Sequence, residues 1–147
     1  MARTLEVVGE RWTMLVLREA FRGIRRFEEM QRNLGVARNV LADRLQTLVG
    51  AAILERKRYQ DRPERFEYRL TEKGLDLYPA LIALMSWGDK HMAPEAGPPV
   101  VLEHKKCGHE TSPVLSCSEC GEELSAKDMR AKHTRDDRDE LGSTTAG

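Results

Sequence analysis

The residues best suited to chemistry are one histidine and three cysteines, which lie in two short motifs of the same form. Each motif reads ligand-x-x-ligand-Gly, over residues 104–108 and 117–121, and nine residues lie between the two pairs of ligands. Imidazole nitrogen and thiolate sulfur are the usual ligands of four-coordinate structural zinc. The spacing therefore predicts one structural zinc ion per chain, bound by His104, Cys107, Cys117 and Cys120.

Three alternatives to this ligand set remain open from the residues alone. His109 could replace His104 as the fourth ligand, Cys117 and Cys120 could form a redox pair, or all three cysteines could be free thiols. Zinc is favoured because the segment has too few apolar residues to hold a fold by burial. A catalytic zinc is not expected, because all four positions are filled and no general base is spaced nearby.

A second group of chemically informative residues is basic and lies in the first half of the chain. Residues 1–70 contain 15 Lys and Arg against 10 Asp and Glu, whereas residues 71–147 contain 9 against 14. All of these first-half cations except Lys57 are arginine, whose planar fork matches phosphate and the guanine edge. A GC-rich genome would also enrich arginine, but the charge division coincides with a change in architecture. The first half is therefore predicted to contact nucleic acid.

The apolar spacing around these arginines predicts a helix-turn-helix. Helices are indicated near residues 3–8 and 11–21. Phe27, Met30 and Leu34 then share one face of a short helix, which a glycine ends. The next helix has its own buried stripe, made of Val40, Leu41, Leu45, Leu48 and Val49. Two short helices joined by a glycine-containing turn are the layout of this motif.

The pattern then changes to that of a β-hairpin. Residues 53–59 predict one strand, and Phe66, Tyr68 and Leu70 alternate with charged residues in a second. Residues 61–64 supply the turn between them. A helix-turn-helix followed by a basic hairpin is a winged helix. The fold class is therefore predicted as mainly α with a small β-hairpin wing (α+β).

A long helix is predicted after the wing, from an N-cap at Thr71 to about Met92. It carries two apolar stripes, one with Leu75, Tyr78, Ile82 and Met85 and the other with Leu77, Leu81, Leu84 and Trp87. One stripe can cover its own domain, but the other stays in water unless a second copy of the chain covers it. Residues 71–92 are therefore predicted to form a homodimer interface.

Proline and glycine at residues 94–99 mark a linker, and the chain after residue 125 is charged and lacks aromatic residues. The predicted organisation has four parts. They are a winged helix-turn-helix domain with its dimerisation helix over 1–92, a linker over 93–100, a small zinc-ribbon-like knuckle segment over 101–124 and a disordered tail over 125–147.

The outward residues of the second helix of the motif are the expected DNA-reading groups. Arg38 can read guanine and Asn39 adenine, while the small Ala42 permits close approach. Asp43 would orient an arginine or accept from a cytosine amine, and Arg44 would pair with a phosphate or with an acidic neighbour in the preceding helix. Basic residues of the wing and of the start of the preceding helix complete the expected contacts, namely Arg58, Arg62 at the wing tip, Arg65, Arg25 and Arg26.

Five stretches of the sequence together resemble the HxlR family of bacterial transcriptional regulators. They read LEVVGERWT, LRE, RFEE, VLADRL and FEYRLTEKG, and the resemblance covers about residues 3–91. It implies a MarR-like winged helix, a dimer through the terminal helices and palindromic operators. Many members also carry a cysteine just before the first helix. This chain has none before Cys107, so thiol sensing by that route is not expected.

These features predict a sequence-specific transcriptional regulator, expected to be a repressor. It is expected to bind a palindromic operator in double-stranded DNA as a homodimer. The identity of any small-molecule effector does not follow from the sequence. The alternative is a winged-helix and zinc-ribbon interaction module that docks on the transcription machinery. An enzyme is not expected, because the sequence offers no nucleophile–base pair and no Gly-rich phosphate loop. A cytoplasmic protein without membrane contact is expected, because there is no apolar run of spanning length and no secretory signal at the N-terminus.

Overall fold

The helices and strands of the first 92 residues follow the predicted order of a winged helix-turn-helix. The structure is a computed structural model and describes residues 1–132. Its elements are α1 (Ala2–Val8), α2 (Arg11–Phe21), α3 (Phe27–Leu34), α4 (Arg38–Gly50), β1 (Leu54–Asp61), β2 (Glu64–Leu70), α5 (Glu72–Leu75), α6 (Tyr78–Met92), β3 (Glu103–His104) and β4 (His109–Glu110). Gly35 ends α3 with a φ of 61°, a left-handed conformation that glycine adopts without a steric penalty. This tight turn delivers the chain directly into α4.

The hydrophobic core lies where α2, α3, α4 and the start of β1 meet. Its buried side chains include Val16, Leu17, Met30, Leu41, Leu45, Leu48, Ile53 and Leu54. Those of α3 and α4 lie on the faces that the helical spacing predicts. Val40 and Val49, which the sequence also assigns to the stripe of α4, are only partly buried and pack against the edge of this cluster. Each fully buried aliphatic side chain contributes roughly 1.5–3 kcal/mol to folding. The core therefore fixes the direction in which the opposite face of α4 points.

One charged side chain, Glu19 of α2, is completely buried. Its Oε1 accepts hydrogen bonds from Arg18 and Arg22, and its Oε2 accepts one from Asn33 of α3 at 2.9 Å. Burial would raise the pKa of Glu19, but the hydrogen bond from Asn33 and the two arginines outweigh it, so that the pKa lies below its ordinary value. The network joins α2 to α3 through an ionised carboxylate.

The wing is an antiparallel hairpin, and the residues just before α3 pair with its second strand. β1 pairs with β2 from Leu54 opposite Leu70 to Asp61 opposite Glu64. The backbone N–H of Tyr68 donates to the carbonyl of Arg25 at 2.8 Å, and Arg26 forms an isolated bridge with Glu67. The entry to the helix-turn-helix is therefore bonded directly to the wing.

The prediction of a single helix over residues 71–92 is wrong, because the chain forms two helices there, α5 and α6. Thr71 does act as an N-cap, since its Oγ1 accepts from the backbone N–H of Gly74 at 3.1 Å, but it caps only the short α5. Pro79 then lies in the first turn of α6, where its missing N–H and fixed φ favour the start of a new helix. α6 has no fully buried residue.

Between α6 and residue 132, the chain forms short turns, the two-residue strands β3 and β4 and an isolated bridge between Ser116 and Glu123. The chain separates into two compact units, Met1–Pro113 and a second that begins at Val114, so the division falls inside the segment predicted as 101–124. Residues 126–128 form a turn. The rest of the predicted tail, from residue 133 onward, lies outside the described residues. Over residues 1–132, no helix is long and apolar enough to cross a membrane.

Candidate nucleic-acid interface and cysteine turns

The outer face of α4 carries the four side chains that the sequence predicts to read bases. Arg38, Asn39, Ala42 and Asp43 are all exposed, whereas Leu41, Leu45 and Leu48 of the same helix are buried. The first two lie in the first turn, which is the part of a recognition helix that reaches base edges in the major groove. α4 therefore presents hydrogen-bonding groups on the side that its core residues leave free.

Arg38 is held in place by an aromatic ring of the preceding helix. Its guanidinium lies 4.7 Å from the ring centre of Phe27, the first residue of α3. A cation over an aromatic face is attracted by the ring quadrupole, by about 0.5–1 kcal/mol at an exposed site. The sequence pattern assigns Phe27 to the apolar face of α3, but its contact with Arg38 was not predicted.

Arg44 differs from its exposed neighbours because it is held by acidic groups of the protein. It bonds to Asp43 and lies 3.8 Å from Glu10, and its side chain is only 22% exposed. Arg44 therefore pairs with acidic groups, but neither lies in the preceding helix α3 as predicted, because Asp43 is on α4 itself and Glu10 comes just before α2. Asp43 likewise orients an arginine, which is one of its two expected roles.

The arginines of the wing differ in how strongly the protein itself neutralises them. Arg58 lies 3.1 Å from Asp61 and 3.2 Å from Glu64, so its charge is compensated within the hairpin. Arg62 stands in the turn between β1 and β2, and Arg65 is exposed on β2. Neither has an ion pair within residues 1–132. These two arginines keep the most charge available at the wing tip.

A cleft of about 720 Å³ opens between α3, the start of α4 and the wing. Its arginines are Arg26, Arg32, Arg38, Arg56 and Arg65. In addition to Arg38, two of them lie over aromatic rings, with Arg26 at 4.7 Å from the ring centre of Tyr59 and Arg56 at 3.5 Å from that of Phe66. Glu28, Glu29 and Glu64 also line the cleft. The cleft is therefore a basic groove with aromatic rings in its lining, and its three glutamates reduce the net positive charge.

Arg32 and Arg56 are cleft residues that were absent from the predicted contacts. For Arg56 the period-two alternation of a strand was a usable signal. It places Arg56 and Arg58 on the hairpin face that also carries their cross-strand partners, Tyr68 and Phe66. For Arg32 no comparable signal exists, because its place in the cleft depends on how α3 packs beside the wing.

The first ligand-x-x-ligand-Gly motif forms a tight turn at the end of a small hairpin. The carbonyl of His104 accepts from the backbone N–H groups of Cys107 at 3.1 Å and Gly108 at 2.8 Å. Gly108 has a φ of 70°, which suits glycine. His104 pairs with His109 across the two short strands. The Nδ1 atom of His104 lies 3.3 Å from the Sγ atom of Cys107, so this turn brings its two predicted ligands together.

The second motif, considered by itself, folds in the same way. The carbonyl of Cys117 accepts from the backbone N–H of Gly121 at 2.9 Å, and Gly121 has a φ of 76°. The pKa of the Cys117 thiol is lowered, chiefly because the backbone N–H groups of Cys120 and Glu119 donate to its sulfur. Cys107, Cys117 and Cys120 form no disulfide with one another in the described residues. Within residues 1–132, no three potential ligands gather into one cluster.

Comparison with known proteins gives a consistent set of relatives. The sequence pattern of the HxlR-like helix-turn-helix family matches residues 7–96. An uncharacterized HTH-type transcriptional regulator of Mycobacterium tuberculosis is 50% identical over 129 residues, which are 88% of this chain and 82% of that protein. An alignment of this length must continue well beyond residue 96, so this relative shares part of the C-terminal extension.

Two solved structures are similar over nearly the same share of the chain. PA1607, described as a candidate transcription factor, is 36% identical with a TM-score of 0.80, and the match covers 89% of this chain and 92% of PA1607. PA1374 from Pseudomonas aeruginosa, described in the same terms, is 37% identical with a TM-score of 0.65 and 90% coverage of both chains. The likeness therefore includes the winged helix and residues that follow it.

Proposed function

The chain belongs to the HxlR-like helix-turn-helix family, and we propose that it is a transcriptional repressor that binds a palindromic operator as a homodimer and carries a zinc-binding extension. A transcriptional regulator with a helix-turn-helix DNA-binding domain is the function common to its relatives. The observation that carries the finer proposal is the exposed first turn of α4 beside a wing with uncompensated arginines. A regulator rather than an enzyme also agrees with the names of these relatives.

In the proposed complex, the first turn of α4 enters the major groove. Arg38 donates two hydrogen bonds to a guanine, Asn39 contacts an adenine, and Ala42 lets the helix approach the base edges. The wing lies over the adjacent backbone or minor groove, where Arg62 and Arg65 meet phosphate. Arg25 and Arg26 lie between α4 and the wing and contact the DNA backbone. Arg44 and Arg58 act mainly through their ion pairs within the protein.

The homodimer is supported by apolar groups on α6 that the chain itself leaves in water. Leu84 is 56% exposed and Trp87 is 57% exposed, and Tyr78 packs on Phe21 of α2 with ring centres 5.0 Å apart. One side of α6 thus rests on its own domain while the other side is uncovered. A two-fold dimer through α6 would cover these groups and present two recognition helices to two symmetric half-sites.

Repression is the simplest outcome of such a complex. A dimer that occupies two half-sites in a promoter excludes other proteins from the same DNA. Placing the operator between a promoter and a reporter gene tests this directly. Repression predicts that added protein lowers the transcript in a purified transcription reaction, whereas a rise in transcript would identify an activator.

Two arginine substitutions separate base reading from phosphate contact. Arg38→Ala is expected to weaken binding to a selected operator by roughly 1–3 kcal/mol and to relax selectivity at one base pair per half-site. Arg62→Ala is expected to weaken binding to every sequence alike and to reduce the dependence of log K on log salt by about one unit. Fluorescence anisotropy over a salt series, with specific and scrambled duplexes, measures both effects.

Arg58→Ala is the matched control for the wing, because two carboxylates already neutralise Arg58. It should change the salt dependence less than Arg62→Ala does. If Arg38→Ala and Arg62→Ala both bind the selected operator as the parent protein does, the assignments of recognition helix and wing tip are wrong.

A further inference from the structure

A cavity of about 260 Å³ opens between α1, the turn after α4 and the short α5. It lies within the first compact unit, and none of its residues is among the proposed DNA contacts. Its lining is mainly apolar and consists of Val7, Val8, Ala51, Ile53 and Leu77, together with Arg3, Thr4 and Lys73. Pockets that hold drug-sized ligands usually measure about 300–1,000 Å³. This cavity therefore suits a smaller organic molecule.

The charged side chains that line this cavity are both cations. They are Arg3 and Lys73, and within residues 1–132 no acidic residue lines the cavity. Burial of an apolar body against the valines and leucine is favourable, and a carboxylate accepts charge-assisted hydrogen bonds from cations. The lining is therefore complementary to a ligand with an apolar body and one carboxylate.

The same cavity borders a strained turn, which joins the recognition helix α4 to the wing. The turn consists of residues 51–53, and two of them, Ala51 and Ile53, line the cavity. Between them, Ala52 has a φ of 56°, a left-handed conformation that is unfavourable for a residue with a side chain. A residue keeps such a conformation only where the surrounding structure holds it. The turn therefore depends on its contacts.

Those contacts come from the segment that begins α5. Nζ of Lys73 donates to the carbonyl of Ala51 at 2.8 Å, and Oγ1 of Thr71 donates to the carbonyl of Ala52 at 2.7 Å. The backbone N–H of Thr71 donates to the carbonyl of Ile53 at 3.1 Å. All three carbonyls of the turn are therefore bonded, and Lys73 both lines the cavity and makes one of these bonds.

We propose that this cavity binds a small carboxylic acid with an apolar body, and that the bound acid weakens operator binding. The ammonium of Lys73 binds the ligand in place of the carbonyl of Ala51, because a carboxylate is the stronger acceptor for a cation. The turn then loses one of its bonds, so that α4 and the wing are held less firmly in one relative position. The binding step stands by itself, whereas its effect on the operator rests on the proposed function.

Calorimetry of the full-length protein without DNA tests the binding step, with benzoate and hexanoate as probes. Each acid should bind at least about tenfold more tightly than its amide, because a charge-assisted hydrogen bond is roughly twice as strong as a neutral one. Lys73→Met keeps the apolar stem and should lose most of this preference. Val7→Phe fills the cavity and should weaken binding of both acids at least about tenfold. Lys57→Met, at an exposed lysine of β1, is the matched control and should bind them as the parent does.

Three results would overturn the binding step. Equal affinity for acid and amide would exclude recognition of a carboxylate, and unchanged binding in Val7→Phe would place the ligand elsewhere. Failure of the parent to bind either acid would exclude the site. Sedimentation tests a different occupant, because a dimer that becomes monomeric in Val7→Phe would mean that a second copy of the chain covers the cavity, and the proposal would be wrong.

Operator binding tests the regulatory step. Saturating benzoate should weaken operator binding by at least about fivefold, and the operator should weaken benzoate binding by the same factor, because coupling between two sites is reciprocal. Lys73→Met lacks the bond to Ala51, so it should bind the operator like the benzoate-saturated parent. Val7→Phe keeps that bond and should bind the operator like the parent without benzoate. Neither variant should respond to benzoate.

The two steps and the proposed function fail in different ways. Benzoate that binds in the cavity but leaves operator affinity unchanged, or raises it, would overturn the regulatory step. A parent protein that binds benzoate but no DNA sequence would overturn the proposed function instead. Circular dichroism of Lys73→Met and Val7→Phe checks that both variants keep their helices, so that a loss of binding reflects the cavity.

Discussion

Replacing Leu84 and Trp87 together by glutamate is expected to convert a dimer into a monomer and to weaken operator binding by at least about a hundredfold. Both side chains are more than half exposed on α6, so the substitutions leave the core of the single chain intact. In a dimer they would place four carboxylates in an apolar interface, where burial of unpaired charge is strongly unfavourable. The loss of affinity follows because linkage of two half-site contacts raises avidity by roughly 10²–10⁴.

Sedimentation velocity at micromolar concentration measures the first part of this prediction. The parent should sediment at twice the 16.7 kDa chain mass, and the double variant at the mass of one chain. Met129→Glu, at another exposed apolar residue, is the control and should leave both mass and affinity unchanged. A monomeric parent protein that binds its operator normally would refute the proposed interface.

Glu19→Ala is expected to lower the free energy of unfolding by about 3 kcal/mol near neutral pH. The substitution removes a fully buried carboxylate that accepts from Arg18, Arg22 and Asn33, and it leaves the amide of Asn33 without its partner. The side chains of the two arginines are 43% and 59% exposed, which keeps the loss at the lower end of what breaking a buried pair costs. Urea denaturation measures the change, with Glu28→Ala at an exposed position of α3 as the control.

The pH dependence of this loss distinguishes charge from packing. Because the folded protein lowers the pKa of Glu19, the carboxylate stabilises the fold above its unfolded pKa of about 4.3. That contribution is lost as the pH falls through the still lower folded value. The difference between parent and variant should therefore be largest near pH 7 and shrink below about pH 4. An equal difference at both pH values would mean that only side-chain packing was lost.

Helix and strand positions were predictable here because burial imposes a period on the sequence. The stripe of Leu41, Leu45 and Leu48 fixes the outward direction of Arg38 and Asn39, so this face of α4 follows from spacing alone. The alternation in β2 likewise locates the wing. The break between α5 and α6 had a local signal in Pro79, but the continuous apolar stripes obscured it.

The partners of the arginines were not predictable, because they depend on packing between distant segments. Arg44 meets Glu10, which is far from it in the chain, and Arg26 meets Tyr59 of the wing. Arg58 pairs with two residues near it in sequence, Asp61 at the end of its own strand and Glu64 at the start of β2, and the second of these pairs requires the hairpin to turn back. The basic surface is therefore predictable from the sequence, but which of its charges are compensated is not. The DNA contacts themselves stay predictions.

The stacking of Arg26, Arg38 and Arg56 on aromatic rings bears on the entropy of DNA binding. An arginine side chain that rotates freely in water becomes ordered when it binds a phosphate or a base. The lost conformational entropy costs about 0.5–1.5 kcal/mol for each side chain. Here the rings restrict these three guanidinium groups before any DNA arrives. Calorimetry of operator binding should therefore show a less unfavourable entropy in the parent than in Phe27→Leu, where Arg38 has no ring to rest on.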